Sequence, residues 1–177
     1  MNAKLARRVP AVLTLVAVAG AVAAGVTSRQ AAPGLAFVDI NPRSASHGQR
    51  VDLASVYAGR GVVLQFVASW CKPCRDELPH LQQLAASGQA PVLLVAADEG
   101  PAGTENVLIV ASRAELTVPI LYVPPEAVPE VERNWRHDVL PATYFIDWKG
   151  RIRIVREGAL AASALSGIAA GVIRPLR

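Results

Sequence analysis

The residues of this chain best suited to covalent chemistry are its only two cysteines, Cys71 and Cys74, within Trp70-Cys71-Lys72-Pro73-Cys74. A thiolate is a nucleophile, and two thiols three residues apart can cycle between dithiol and disulfide. The apolar run Val62 to Val67 precedes the pair, and Leu78, Leu81 and Leu84 follow it at helical spacing, so the cysteines fall where a strand gives way to a helix. Unpaired amides and the positive end of the helix dipole favour a thiolate there, and Lys72 adds a positive charge, so its pKa is expected below about 8.5. Cys71, first in the chain, is the expected exposed nucleophile, and Cys74, one turn into the helix, the shielded resolving thiol. A purely structural disulfide is the poorer reading, because closing so short a loop restricts the unfolded chain far less than closing a long one. A structural zinc site needs four ligands; only His47, His80 and His137 could complete it, and none has ligand-like spacing to the cysteines.

The elements that must hold this pair follow from local pattern. Ala36 to Ile40 suggests a first strand, Asn41 to Arg50 a loop, and Val51 to Tyr57 is compatible with either a strand or a short helix. Val62 to Val67 has the continuous apolar character of a central strand covered on both faces. The helix after the cysteines runs to about Ala86, with Pro79 expected to bend it. Pro91 to Ala96 suggests a second buried strand, and Thr104 to Leu116 a helix with Thr104 as its N-cap. Val118 to Tyr122 suggests a short strand. A bend at Pro124, Pro125 and Pro129 follows, and Glu126 to His137 can hold a helix. Ala142 to Asp147, a turn at 148–150 and Arg151 to Arg156 predict an antiparallel hairpin, and Leu160 to Ile173 a closing helix.

At 177 residues the chain has room for one domain plus an appendage. Lys4, Arg7 and Arg8 precede an uncharged, Ala- and Val-rich stretch from Val9 to Val26, the pattern of an export signal or N-terminal anchor. Ala21-Val22-Ala23 is a fitting cleavage site, yet the stretch also approaches the length of a membrane-crossing helix, so cleavage and anchoring both stay open. The expected organisation is a signal or anchor over 1–26, a linker over 27–35 and a domain over 36–177. Without residues 1–23 the net charge of +4 falls to +1, with 15 Lys and Arg against 14 Asp and Glu. Nucleic acid is therefore not an expected partner. Arg151 and Arg153 alternate with Ile152 and Ile154, as on the solvated face of a strand.

The cysteine motif, Pro79 five positions after it, Leu140-Pro141-Ala142-Thr143-Tyr144-Phe145 ahead of the hairpin and the apolar N-terminus together resemble the thioredoxin superfamily, specifically its membrane-anchored TlpA/ResA-like branch, over about residues 35–175. The resemblance implies an α/β, thioredoxin-like fold: a central mixed β-sheet flanked by helices, behind the N-terminal signal or anchor segment. Pro141 would be the cis-proline beside the disulfide. Leu140 would offer its backbone to an extended substrate chain, and Trp70 would flank the disulfide on the docking surface. Lys72 and Pro73, between the cysteines, would tune the redox potential. Glu77, three after Cys74, would be an acid held near the thiols, able to move protons to or from Cys74; a solvated surface Glu is the plainer alternative. Gln65 stands where thioredoxin proper has a buried carboxylate, which places more weight on Glu77. The 70 residues from Cys71 to Pro141 leave room for an added element, and recognition features are expected around 126–137.

The same resemblance implies a protein-disulfide oxidoreductase acting outside the cytoplasm, without cofactor or metal. Its expected partners are exported proteins bearing disulfides or dithiols, apocytochrome c among the candidates, and a membrane thiol electron carrier. It favours reduction, as in cytochrome c maturation. A thiol oxidase or isomerase on the same fold is the alternative. A copper chaperone, for which His137 is the only candidate third ligand, fits less well, as does a thiol peroxidase.

Overall fold

A computed structural model of the protein describes residues 30–174. The expected export or anchor segment, residues 1–26, lies outside them. Seven strands form one mixed sheet among the described residues: β1 (Ala36–Asp39), β2 (Arg50–Asp52), β3 (Val62–Val67), β4 (Val92–Ala96), β5 (Ile120–Tyr122), β6 (Ala142–Ile146) and β7 (Ile152–Glu157), in the order β2-β1-β5-β4-β3-β6-β7. β3, β4 and β5 run parallel, and β1, β2, β6 and β7 join through antiparallel pairs. Five α-helices and a short 3-10 helix (Pro125–Ala127) complete the described fold: α1 (Leu53–Tyr57), α2 (Lys72–Ala86), α3 (Gly100–Arg113), α4 (Val128–Asn134) and α5 (Ala162–Val172).

Every residue of β3, β4 and β6 is buried, as expected of strands covered on both faces. Side chains alternate between the faces. Val63, Val67, Leu94 and Phe145 point into a core with α2, α3 and α5, while Val62, Leu64, Phe66 and Tyr144 point into a second core with α1, α4 and Trp135. In the second core Trp135 meets Tyr144 edge-on, with centroids 5.1 Å apart. By this alternation Gln65 belongs to the first face, beneath α2.

The ambiguous stretch 51–57 contains both candidate elements. Asp52 ends β2 and caps α1, its carboxylate accepting the Ala54 amide at 2.8 Å. The helix expected from Thr104 begins four residues earlier, at Gly100, with Pro101 in its first turn; Thr104 is inside it and donates its hydroxyl back to the Gly100 carbonyl at 3.1 Å. The hairpin β6–β7 forms as expected, but its arginines are not all free in solvent, since Arg153 pairs with buried Asp147 at 3.3 Å. Burial opposes ionisation of Asp147, but the Arg151 and Lys149 amides and the Arg153 guanidinium outweigh it and hold the carboxyl below its usual range. Gly150 closes the turn at φ +71°, and a Cβ there would stand 2.5 Å from the Tyr57 ring.

Residues ahead of β1 already belong to this architecture. Ala31 bridges Arg151, the Ala32 amide donates to the Gly150 carbonyl at 2.7 Å, and Leu35 is buried.

Candidate active site

The carboxyl ends of parallel strands open onto the place where α/β folds gather their chemistry. β3 ends there and delivers the chain through Ala68, Ser69 and Trp70 to the cysteines. Cys71 is the N-cap of α2, and Cys74 lies in its first turn beside Pro73. The two sulfurs are joined as a disulfide. Cys71 Sγ also accepts the Cys74 backbone N–H at 3.1 Å, the contact through which a helix start stabilises a thiolate.

The expected contrast in exposure is smaller than the sequence suggested: Cys71 is 5% exposed and Cys74 1%. Both cysteines belong to the first core cluster, which closes most of the disulfide off. What remains open is a shallow groove lined by Trp70, Cys71, Pro73, His137, Val139 and Leu140. Trp70 and Val139 are the exposed apolar residues on its rim, at 70% and 52%. The Leu140–Pro141 peptide bond is cis. The Pro141 carbonyl accepts the Gly158 amide at 2.9 Å, whereas among the described residues no hydrogen bond engages the backbone of Val139 or Leu140. Trp70, Cys71 and Leu140 thus share one surface, and Pro141 follows Leu140 as a buried residue.

Lys72 is on the solvent side of α2, its ammonium 2.5 Å from the Asp76 carboxylate, with both side chains largely exposed. The charge that the sequence offers to Cys71 is therefore partly compensated four residues along, and it sits in water where its field is weak.

Glu77 is no surface residue. It is 1% exposed and faces inward on α2, three residues from Cys74. Burial raises its pKa to about 7, against smaller opposing effects of the Leu160 backbone and the Gln65 side chain. Neither effect amounts to a well-formed hydrogen bond, for both Glu77 carboxyl oxygens are buried without a partner. A carboxyl of this kind exchanges its proton near neutral pH beside a thiol that must gain and lose one.

Two further residues shape the site. Asp98, just past β4 and 7% exposed, accepts the Ser69 amide at 2.8 Å through one oxygen and the Ser69 hydroxyl through the other. Arg75 donates to the Ser69 carbonyl at 2.7 Å. The turn that carries Trp70 is thereby tied to the neighbouring strand and to α2. The only sequence signal for Asp98 is its position directly after a buried strand, at the edge where sites form.

Residues 30–155 match the AhpC/TSA family, and the chain belongs to it. Among curated relatives, the thiol-disulfide oxidoreductase ResA of Oceanobacillus iheyensis is 35% identical over 62% of this chain and 55% of its own length. ResA of Geobacillus kaustophilus is 30% identical over 79% of this chain and 72% of its own. The chain thus spans little more than half of the first of these relatives. A solved structure, a secreted Mycobacterium tuberculosis disulfide oxidoreductase homologous to E. coli DsbE, superposes with a TM-score of 0.63 at 23% identity, covering 78% of this chain and 96% of that one. This likeness establishes the thioredoxin-like fold.

Proposed function

We propose that the protein is an extracytoplasmic thiol-disulfide oxidoreductase that reduces disulfides in exported proteins. The observation that carries the reading is the Cys71–Cys74 disulfide at the start of α2, with Cys71 opening onto an apolar-rimmed groove. In the reduced enzyme the Cys71 thiolate attacks one sulfur of the substrate disulfide and forms a mixed disulfide, and the departing substrate thiolate takes a proton from solvent. The Cys74 thiol passes its proton to the Glu77 carboxylate, and the resulting thiolate attacks Cys71 Sγ. The second substrate thiolate leaves and is protonated. Two electrons have moved to the substrate, and the enzyme is left as the disulfide.

The surroundings of the pair support reduction. A charged Glu77 beside Cys74 disfavours a second negative charge there, which works against the reduced, ionised state and favours electron donation. The Lys72 charge, which would act the other way, is compensated by Asp76. Recharging would come from a membrane thiol electron carrier, and apocytochrome c is one fitting substrate. Export is supported by the apolar segment ahead of residue 27 and by the secreted character of the tuberculosis neighbour.

One observation favours an oxidase on the same site: the Cys74 amide and the helix start both stabilise a Cys71 thiolate, and a stabilised reduced form makes a stronger oxidant. Equilibration with a dithiol buffer separates the two. A reductant lies closer to about −270 mV, an oxidase to about −120 mV. The decisive test of the site is Cys74→Ser in the native host: mixed disulfides through Cys71 are expected to accumulate, identifiable by mass spectrometry. No captured partner, together with wild-type protein unable to reduce a protein disulfide, would reject the proposal.

A further inference from the structure

Gln65 and Glu77 face each other inside the first core. Gln65 is fully buried on β3 and acts on Glu77 from across the α2–sheet interface. Its Nε2 donates to the Thr143 hydroxyl at 2.8 Å, and Thr143 is its register partner on β6. Its Oε1, however, is buried without a partner, as are both carboxyl oxygens of Glu77. Gln65 Oε1 and both Glu77 oxygens are thus left without a completed hydrogen bond, although the Leu160 backbone and the Gln65 side chain act on the carboxyl. Buried polar groups in folded proteins are paired, and leaving one unpaired is costly. The arrangement lacks one hydrogen, and a protonated carboxyl supplies it: Glu77 O–H donating to Gln65 Oε1 pairs both groups.

The ionised state has the opposite need. A carboxylate only accepts, and the side chain on this face able to offer it N–H groups is the same amide, turned over. Turning it directs Oε1 at Thr143, whose hydroxyl then donates instead of accepting. A hydroxyl can do both, which an aliphatic side chain of the same shape cannot.

We propose that Gln65, backed by Thr143, is a positioning residue for the Glu77 proton: its amide accepts from the protonated carboxyl and reverses to donate to the charged one. The relevance of this to catalysis rests on the reading that Glu77 exchanges protons with Cys74. The other groups around Glu77 leave the assignment to these residues. α5, β3 and β4 carry no titratable side chain. The 158–161 segment has no titratable side chain, and its Leu160 backbone favours the charged carboxyl. Tyr144 of β6 points to the opposite core. On β7, Arg156 stands opposite Thr143 and donates to the Val155 carbonyl. On α2 itself, Cys74 and His80 are one turn to either side, and neither His80 nor Arg156 contributes to the Glu77 shift.

The test is a carboxyl-carbon NMR titration of Glu77 in the oxidised full chain, where the disulfide removes thiol titration. Gln65→Met removes both pairings, and because the charge-assisted bond to the carboxylate is the stronger of the two, the Glu77 midpoint is expected to rise by about one pH unit, a tenfold change in proton affinity. Thr143→Val should raise it in the same direction by less, although the group it removes serves Gln65 and not Glu77. In wild type the Gln65 side-chain NH2 resonances should move with the Glu77 midpoint. An unmoved midpoint in the folded variants, or Gln65 resonances indifferent to that titration, would overturn the proposal. If Gln65→Met fails to fold, the wild-type Gln65 resonances and Thr143→Val decide it. A shifted Glu77 midpoint with an unchanged pH profile of Cys71 alkylation in reduced Gln65→Met would uphold the pairing and reject instead the role of Glu77 toward the thiols.

Discussion

Among single residues, Glu77 concentrates the consequences of burial. In the folded protein its carboxyl holds a proton up to about pH 7, whereas its ordinary value is 4.5. Below that ordinary value it is neutral in both folded and unfolded chains, so its burial carries no pH-dependent penalty. As pH rises toward 7 the unfolded chain releases the proton and the folded chain keeps it, so stability falls through this window and levels off above it. Glu77→Gln is therefore expected to raise the Tm of the oxidised protein at pH 8 and to leave it nearly unchanged at pH 4, the difference corresponding to at most about 3 kcal/mol. The same substitution should shift the pH dependence of Cys71 alkylation in the reduced protein. A coincident titration curve would remove Glu77 from the thiol chemistry.

Among elements, the loop between β3 and α2 is held by its side contacts more than by its own sequence. Asp98→Ala takes both acceptors from half-buried Ser69, and the unpaired amide left behind costs up to about 1 kcal/mol. The expected result is a several-fold rise in KM for a protein disulfide, since Trp70 loses its fixed place, with a much smaller change in the rate at which a small reagent alkylates Cys71. The β6–β7 turn has a different dependence: Gly150→Ala puts a methyl group into the Tyr57 ring at a positive φ and should lower stability by more than about 1 kcal/mol, measured by denaturant unfolding.

These elements also mark what a sequence can and cannot disclose. The strand–Cys–helix junction was legible because both of its signals, the apolar run of β3 and the Leu78, Leu81, Leu84 spacing, are local. The start of α3 was misplaced because Thr104 looks like a cap, while Pro101 in the first turn was the better sign. Asp98 and Asp39 were missed for a different reason. Asp39 is buried and accepts the amide of Ile120, 81 residues away, and Asp98 accepts that of Ser69, 29 residues away. A lone carboxylate carries no trace of a partner so distant. Glu77 was marked by the family resemblance, three positions after Cys74, but the unpaired oxygen of Gln65 behind it exists only in three dimensions.

At the scale of the whole molecule, the segment ahead of β1 is part of the folded unit. The Ile152 amide donates to the Gln30 carbonyl at 2.9 Å, and the Leu53 amide to the Leu35 carbonyl at 2.9 Å. Leu35 adds its buried side chain, 3% exposed, to the second core. A protein starting at Gln30 should accordingly be more stable than one starting at Ala36 by about 2–4 kcal/mol, from one buried leucine and the lost hydrogen bonds. Equal denaturant midpoints for the two would show these contacts to be incidental.

The bridge between Ala31 and Arg151 also fixes a direction. Arg151 lies at the turn end of the β6–β7 hairpin, next to the first residues of β3, while the cysteines follow the last residue of β3. The length of that strand, about 20 Å at roughly 3.3 Å per residue, separates the two. The chain therefore enters the domain at one pole and reacts at the other. If residues 1–26 tether the protein to a bilayer, the tether attaches at the rear of the molecule, and the disulfide points outward to clients arriving from the aqueous side.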